Sequence, residues 1–229
     1  VGEYICFVDS DDEIVPDTFC IETFYGNQDI IFSDLILRTG GKDTIWKAFE
    51  CNNIDRKIVV KALMKDGRLN GPVCKFIRRQ FLVDNGLSFD TSLFEGEDAL
   101  FIYNAILKNP TMGYWEQVSY VYYKEFSSLS FRLRKYKEKY LIVSDELYYK
   151  SLELIKLTDF EAEEENAIVN HLQSDHVGYI FSVVSDAICN KVFDNEFKRV
   201  MTQSINALQF RDFSKIRLSE KIYYIQRRG

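Results

Sequence analysis

Apolar residues in the first half of the chain fall in short blocks; in the second half they recur at helical spacing. The opening block YICFV (4–8) is continuous and runs straight into Asp9-Ser10-Asp11-Asp12. This is the pattern of an interior strand whose C-terminal end opens into a loop. Pro16 suits the first turn of a short helix over 16–25, which Gly26-Asn27 would end. DIIFSDLIL (29–37) predicts a second strand, closed by a Gly40-Gly41 turn. Ile58, Val59, Ala62 and Leu63 predict a helix over 54–65, and Gly67, Gly71 and Pro72 a loop behind it. A short helix is expected over 79–84. Leu100, Phe101, Asn104 and Leu107 then predict one over 99–107, with Glu97 and Asp98 in its first turn, and Val118, Tyr120 and Tyr122 alternate as in a strand.

Strands and helices therefore alternate over the first 125 or so residues, the mark of an α/β fold in which helices flank a sheet. Beyond Ser130 the spacing is helical throughout. It predicts helices over 140–157, over 161–191 with Ile168, Leu172, Tyr179, Val183 and Ile188 on the buried face, and over 196–208. The expected organisation is an α/β part over 1–131 and an all-helical extension over 132–229.

Composition adds little to this until it is divided along the chain. With 46% hydrophobic and 28% charged residues the chain is globular, and its net charge of -6 gives no reason to expect a nucleic acid as partner. The charge is uneven. Residues 1–34 hold nine acids and no Lys or Arg, so a cation is expected nearby, while residues 197–229 hold eight Lys or Arg against two acids. Five cysteines, at 6, 20, 51, 74 and 189, form no CxxC pair, which argues against a thiolate metal site and for a reducing cytoplasm. The longest apolar run, YIFSVVSDAIC, is interrupted by Asp186, so no spanning helix is predicted.

Chemistry is suggested at three places. Asp9 and Asp11, with Asp12 beside them, sit where ligands of open α/β sheets bind, and their hard oxygens select Mg²⁺ or Mn²⁺. The bland alternative is a solvated turn. Asp98, at a helix N-terminus behind Gly96, could be held as a general base or could simply compensate the helix dipole. Lys75 among apolar neighbours, and Lys124 with Ser128 and Ser130 after a strand, could hold phosphate oxygens, although such lysines more often snorkel to water. His171 and His176 are five apart and do not share a helical face as a zinc pair would.

In order and spacing, GEYICFVDSDDEIVPD (2–17), NGPVCKFIRRQFL (70–82), LSFDTSLFEGEDALF (87–101) and YYKEFSSLSF (122–131) resemble the second half of a family 2 glycosyltransferase domain of GT-A fold. The resemblance implies a GT-A-type mixed sheet flanked by helices, followed by the helical extension. It implies that Asp9 and Asp11, a DXD motif, hold the metal and a nucleotide-diphosphate sugar. It makes Asp98 the base and puts Glu97 on the acceptor side, with a saccharide or lipid-linked acceptor. The implied activity is inverting hexosyl transfer in surface polysaccharide or glycolipid synthesis, in the cytoplasm or at the inner face of the membrane, where the basic C-terminal region would rest on anionic lipid. Two departures stand out. Lys124 and Phe126 replace the arginines many members carry after the last strand, and no strand or acidic site for uracil and ribose precedes Val1, so the segment alone is expected to be inactive.

Two rival readings remain. A haloacid dehalogenase-type phosphohydrolase also opens with a strand running into DxD, and would use Asp9 as nucleophile, Asp11 as acid/base and Lys75 as phosphate clamp. The chain could also be a non-enzymatic interaction module with an acidic head and a basic end.

Overall fold

Strand β3 (Ile30–Thr39) explains the sheet around it. Its residues are buried almost without a break from Ile30 to Leu35, so both of its faces and both of its edges must be covered. In a computed structural model, which describes residues 2–16, 27–65, 67–93, 95–124, 139–189, 191 and 193–208, β6 (Met112–Tyr123) runs parallel along one edge of β3. The other edge is shared. β5 (Lys75–Arg78) pairs antiparallel with residues 30–32 and β4 (Lys42–Trp46) with residues 35–39. β1 (Tyr4–Cys6) adds to β5 and β2 (Glu13–Ile14) to β6, both antiparallel, giving the order β1-β5-β3-β6-β2 with β4 beside β3. The fold is α/β, a mixed sheet flanked by helices with several helices after it.

The predicted strand over 29–37 and its glycine turn are present: Gly40 and Gly41 have φ of 56° and 77°, and Thr39 pairs with Lys42 across them. A two-residue hairpin whose positions both need positive φ selects glycine there. The strand over 4–8 is shorter than predicted and lies at the end of the sheet order, not inside it. Its side chains are only half-buried, and Phe7 leaves the ladder to join Phe89 and Phe101, while Val8 is exposed. The helix expected over 16–25 lies outside the described residues.

Helices α1 (Arg56–Lys65), α2 (Arg79–Asp84) and α3 (Glu97–Leu107) fall where the spacing placed them. Asp29 ties the strand ends together. Its backbone N–H and side-chain oxygens exchange bonds with Thr111 at the start of β6 (2.8 Å each), and its carboxylate takes the Arg78 guanidinium at the end of β5. Burial opposes its charge, but Arg78 and Thr111 outweigh that and hold its pKa below the usual carboxylate range.

The described chain forms two compact units, 1–90 with 98–132 and 91–97 with 133–229. The second is built on α4 (Lys139–Lys156), α5 (Ala162–Cys189) and α6 (Asn195–Ala207). Leu141, Val177, Ile180, Val183, Val184, Phe197, Val200 and Ile205 form its core. Asp194 caps α6 by accepting the Phe197 N–H (2.9 Å).

Of the face predicted for α5, Val183 is buried and Leu172 and Tyr179 pack against the core, but the buried face is wider than the apolar pattern marks. Ile188 is exposed, whereas Gln173, Ser174 and His176 are turned inward beside Val169, Val177 and Val184. Polar bonds make this possible. The Ser144 hydroxyl donates to His176 Nδ1 (2.9 Å), and His176 Nε2 donates to Asp145 (3.0 Å), which also accepts from Ser204 (2.7 Å). The imidazole stacks on Tyr148 at 4.6 Å, and the Tyr148 hydroxyl accepts from Gln173 (3.0 Å). A periodicity count assigns such residues to solvent; here the His176 ring and the Gln173 amide nitrogen find partners inside, and the residues are buried.

Candidate functional site

The acidic turn begins where β1 ends. Asp12 N–H donates to the Asp9 carbonyl (3.1 Å), closing a tight turn over 9–12, and β2 then lies against β6, with Ile14 opposite Tyr120 and Val15 N–H on the Ser119 carbonyl (3.0 Å). Tyr120 is fully buried, and its hydroxyl is used twice. It accepts the Asp9 N–H (3.0 Å) and donates to Asp12 Oδ2 (2.8 Å). The other Asp12 oxygen accepts the Tyr123 N–H (2.8 Å). Asp12 is thus held by neutral donors on both oxygens. Among the described acids of the opening segment, Asp29 forms an ion pair, with Arg78.

Asp9 and Asp11 are left at the surface. Neighbouring protein atoms and then the charges of Asp12 and Asp11 raise the pKa of Asp9. Burial first and Asp11 also raise Asp12, against the bonds from Tyr123 and Tyr120. Tyr122 feels the same field: burial, then Asp12, Asp9 and Asp11, push its phenol up. Residues 120 and 122, on one face of β6, therefore both meet the acidic turn.

Asp98 stands in the first turn of α3, behind Gly96, whose φ is 80°. Phe101, one helical turn on, stacks on Phe89 at 4.3 Å, and Phe7 meets both rings edge-on at 5.2 and 5.6 Å. The same aromatic group thus anchors the backbone two residues before Asp9 and the helix that carries Asp98. Glu97 Oε2 is shielded from solvent and makes no hydrogen bond.

Lys75 is neither a phosphate clamp nor a snorkelling cation in this arrangement. It is 1% exposed, and its ammonium donates to the carbonyls of Gly71 (2.5 Å) and Val73 (3.3 Å) and lies 5.5 Å from the Phe32 ring. Burial lowers its pKa to about 8, with Cys74 and Asp98 opposing. The phosphohydrolase reading needs this ammonium open to a phosphate, whereas it is shut off from solvent and two of its three N–H groups go to backbone carbonyls. Cys74 supplies the turn that permits this, at φ 57°, and its carbonyl accepts from both Ser33 N–H and Ser33 Oγ. Lys124 is exposed just past β6, its N–H on the Arg38 carbonyl (2.9 Å). Ser128, Ser130, Phe126 and the basic residues beyond 208 lie outside the described residues.

Tyr120 and the Tyr123 amide were not visible as site elements in the sequence. The alternation Val118, Tyr120, Tyr122 gave the strand but not the face that meets the turn. Asp34 is a second unforeseen polar group, buried at a shift of register in β3, where one oxygen accepts the Ala48 N–H (2.9 Å) and the Tyr114 hydroxyl (2.6 Å). Among the described residues no three His, Cys, Asp or Glu side chains form a cage for a metal ion, and no helix is long and apolar enough to cross a membrane. A groove of about 600 Å³ between β4 and α1, lined by Trp46, Phe49, Ile58, Lys61, Lys65 and others, shares no residue with the acidic turn.

No family model matches the sequence, and no curated protein matches it either. Solved structures do. TarS 1–349 of S. aureus in complex with UDP-GlcNAc is similar at 19% identity and a TM-score of 0.62, over 100% of this chain and 64% of that one. The same protein in complex with UDP gives 18% and 0.62 over 99% and 62%, and TarS at full length 18% and 0.58 over 100% and 38%. The chain thus spans less than two thirds of the TarS 1–349 chain, and at this identity what the two share is a fold, one of glycosyltransferase type.

Proposed function

We propose that the chain is the metal-side and acceptor-side portion of an inverting glycosyltransferase, which moves a hexosyl unit from a nucleotide-diphosphate sugar to a hydroxyl of a saccharide or lipid-linked acceptor. The observation that carries the reading is the division of labour in the acidic turn. Asp12 is tied to β6 through both oxygens, while Asp9 and Asp11 remain at the surface beside it. The fold shared with a protein that binds UDP-GlcNAc supports a UDP-sugar as the first donor to test.

Two surface carboxylates suit Mg²⁺ or Mn²⁺, which keep waters and are completed by substrate phosphates. Asp9 and Asp11 would hold the ion, and the chemistry it supplies is neutralisation of charge on the departing diphosphate. Asp98 accepts the proton of the acceptor hydroxyl as that oxygen forms its bond to the anomeric carbon. The bond from that carbon to the diphosphate oxygen breaks with its electron pair on the opposite face, so the configuration inverts. A base so placed contributes about 10² to 10⁴-fold in rate. Glu97, with its unpaired oxygen, precedes Asp98 on the acceptor side, and Lys124 is the exposed cation available to a phosphate.

The test is transfer from UDP-sugars by the full-length enzyme, with and without Mn²⁺. Asp98→Asn is expected to abolish transfer while donor binding stays near the wild-type value. Turnover that survives the substitution removes Asp98 as base. Mg²⁺-dependent hydrolysis of a generic phosphate ester, without transfer from a UDP-sugar, would remove the transferase reading itself.

A further inference from the structure

We propose that Tyr120 is the positioning residue of the acidic turn: its hydroxyl fixes the Asp9 backbone and draws Asp12 inward, so that a divalent cation with a nucleoside diphosphate is met by Asp9 and Asp11 and not by Asp12. The role of the ion rests on the transferase reading above; the clamp itself does not.

The sequence offers three aspartates in four positions, and any two could serve by chemistry alone. The structure separates them. A phenol has one proton to give and lone pairs to accept with, and Tyr120 uses both functions within the turn, towards Asp12 Oδ2 at 2.8 Å and from Asp9 N–H at 3.0 Å. The hydroxyl cannot drift, because its backbone is paired on both sides, opposite Leu35 of β3 and Ile14 of β2. Asp12 is saturated from the other side by the Tyr123 amide. For Asp12 to enter a coordination sphere, two bonds to β6 would have to break. Asp9 and Asp11 would break none made by their carboxylates to β6.

Partners that orient the ligands of a metal typically matter about 10 to 100-fold for its affinity. Four variants separate the roles: Tyr120→Phe, Asp12→Asn, Asp9→Asn and Asp11→Asn. In hydrogen exchange, Tyr120→Phe is expected to speed exchange of the amides over 9–15 by about tenfold or more, as a lost local closing bond does, with β3 amides unchanged. In titration with Mn²⁺ and UDP, followed by the signal of free Mn²⁺, Asp9→Asn and Asp11→Asn are expected to lose about tenfold or more and Tyr120→Phe several-fold. Asp12→Asn keeps one carbonyl oxygen for a single β6 donor and loses the other bond, so it should lose no more than Tyr120→Phe. Unchanged exchange over 9–15 in Tyr120→Phe overturns the clamp, as does a loss in Asp12→Asn equal to that in Asp11→Asn. Faster exchange in a protein whose wild type takes up no Mn²⁺ with UDP keeps the clamp and discards the transferase reading.

Discussion

The acidic turn and the Ser144–Asp145–His176–Ser204 cluster use similar groups, a carboxylate, hydroxyls and an aromatic ring, yet leave them in opposite conditions. In the helical unit every named group is bonded to another. His176 is bridged at both nitrogens and stacked on Tyr148, and Asp145 accepts on both oxygens. A serine, a histidine and an aspartate stand within hydrogen-bond reach, but their bonds run to one another and join α4, α5 and α6. At the turn, a single hydroxyl and a single amide saturate Asp12, and that leaves Asp9 and Asp11 at the surface. Residue type alone would rank the first cluster as the more catalytic. The satisfaction of each polar atom ranks the second.

The largest expected effect that tests this contrast is on turnover. Asp98→Asn should cost about 10² to 10⁴-fold in transfer and leave the melting temperature of the protein unchanged. His176→Leu should do the reverse. It strands Ser144 and Asp145 inside the helical unit, at about 3 kcal/mol in unfolding free energy, with turnover per folded molecule kept. Chemical denaturation and an initial-rate assay on the two variants check both halves. Should His176→Leu lose turnover at full stability, the cluster is a site and the contrast is wrong.

A smaller effect is expected at Gly96. A Cβ built there would sit 2.7 Å from Val143 Cγ1 and 3.3 Å from Leu147 Cδ1, and φ is 80°. Gly96→Ala therefore meets both a packed side chain and the left-handed backbone, and should lower stability by about 2 to 3 kcal/mol. The open turn glycine Gly41, at φ 77° with no atom within 4 Å of its added Cβ, isolates the backbone share, about 1 kcal/mol. Equal losses in the two variants would show that the approach to Val143 contributes nothing.

How much of this was legible in the sequence depends on the distance over which each fact was decided. β3, its glycine turn and helices α1 to α6 follow from local spacing and were all predicted. So was an acidic turn at the end of the first strand, because an apolar run meeting Asp9-Ser10-Asp11-Asp12 is itself local. The partner that organises the turn is 111 positions away along the chain from Asp9, and nothing in either segment marks the pair. The α5 face was only partly legible, with Val183 buried and Ile188 exposed, because the inward turn of Gln173 and His176 depends on partners in α4 that only the fold shows. Lys75 failed for the same reason: its fate was set by two carbonyls turned towards it by residues 71–74.

Lys75 gives the effect with a distinctive pH signature. It belongs with His176 in the comparison, a charged or chargeable group whose bonds all run inward, and unlike Asp9 it is shut off from water. Burial holds its folded pKa at about 8, below the ordinary value of 10.5 that the unfolded chain keeps. Between those values the unfolded state binds the extra proton, so stability rises with pH across that window. Below pH 8 both states carry the charge, and the fold bears the cost of burying it. Lys75→Met has no proton to release, so the stability of the wild type relative to this variant should rise by about 2 kcal/mol from pH 7.5 to 9.5. Urea denaturation of both proteins at several pH values across that range measures it. A flat difference would mean that the ammonium reaches water, as a phosphate-binding lysine would, and Lys75 would then move to the other side of the comparison, beside Asp9 and Asp11.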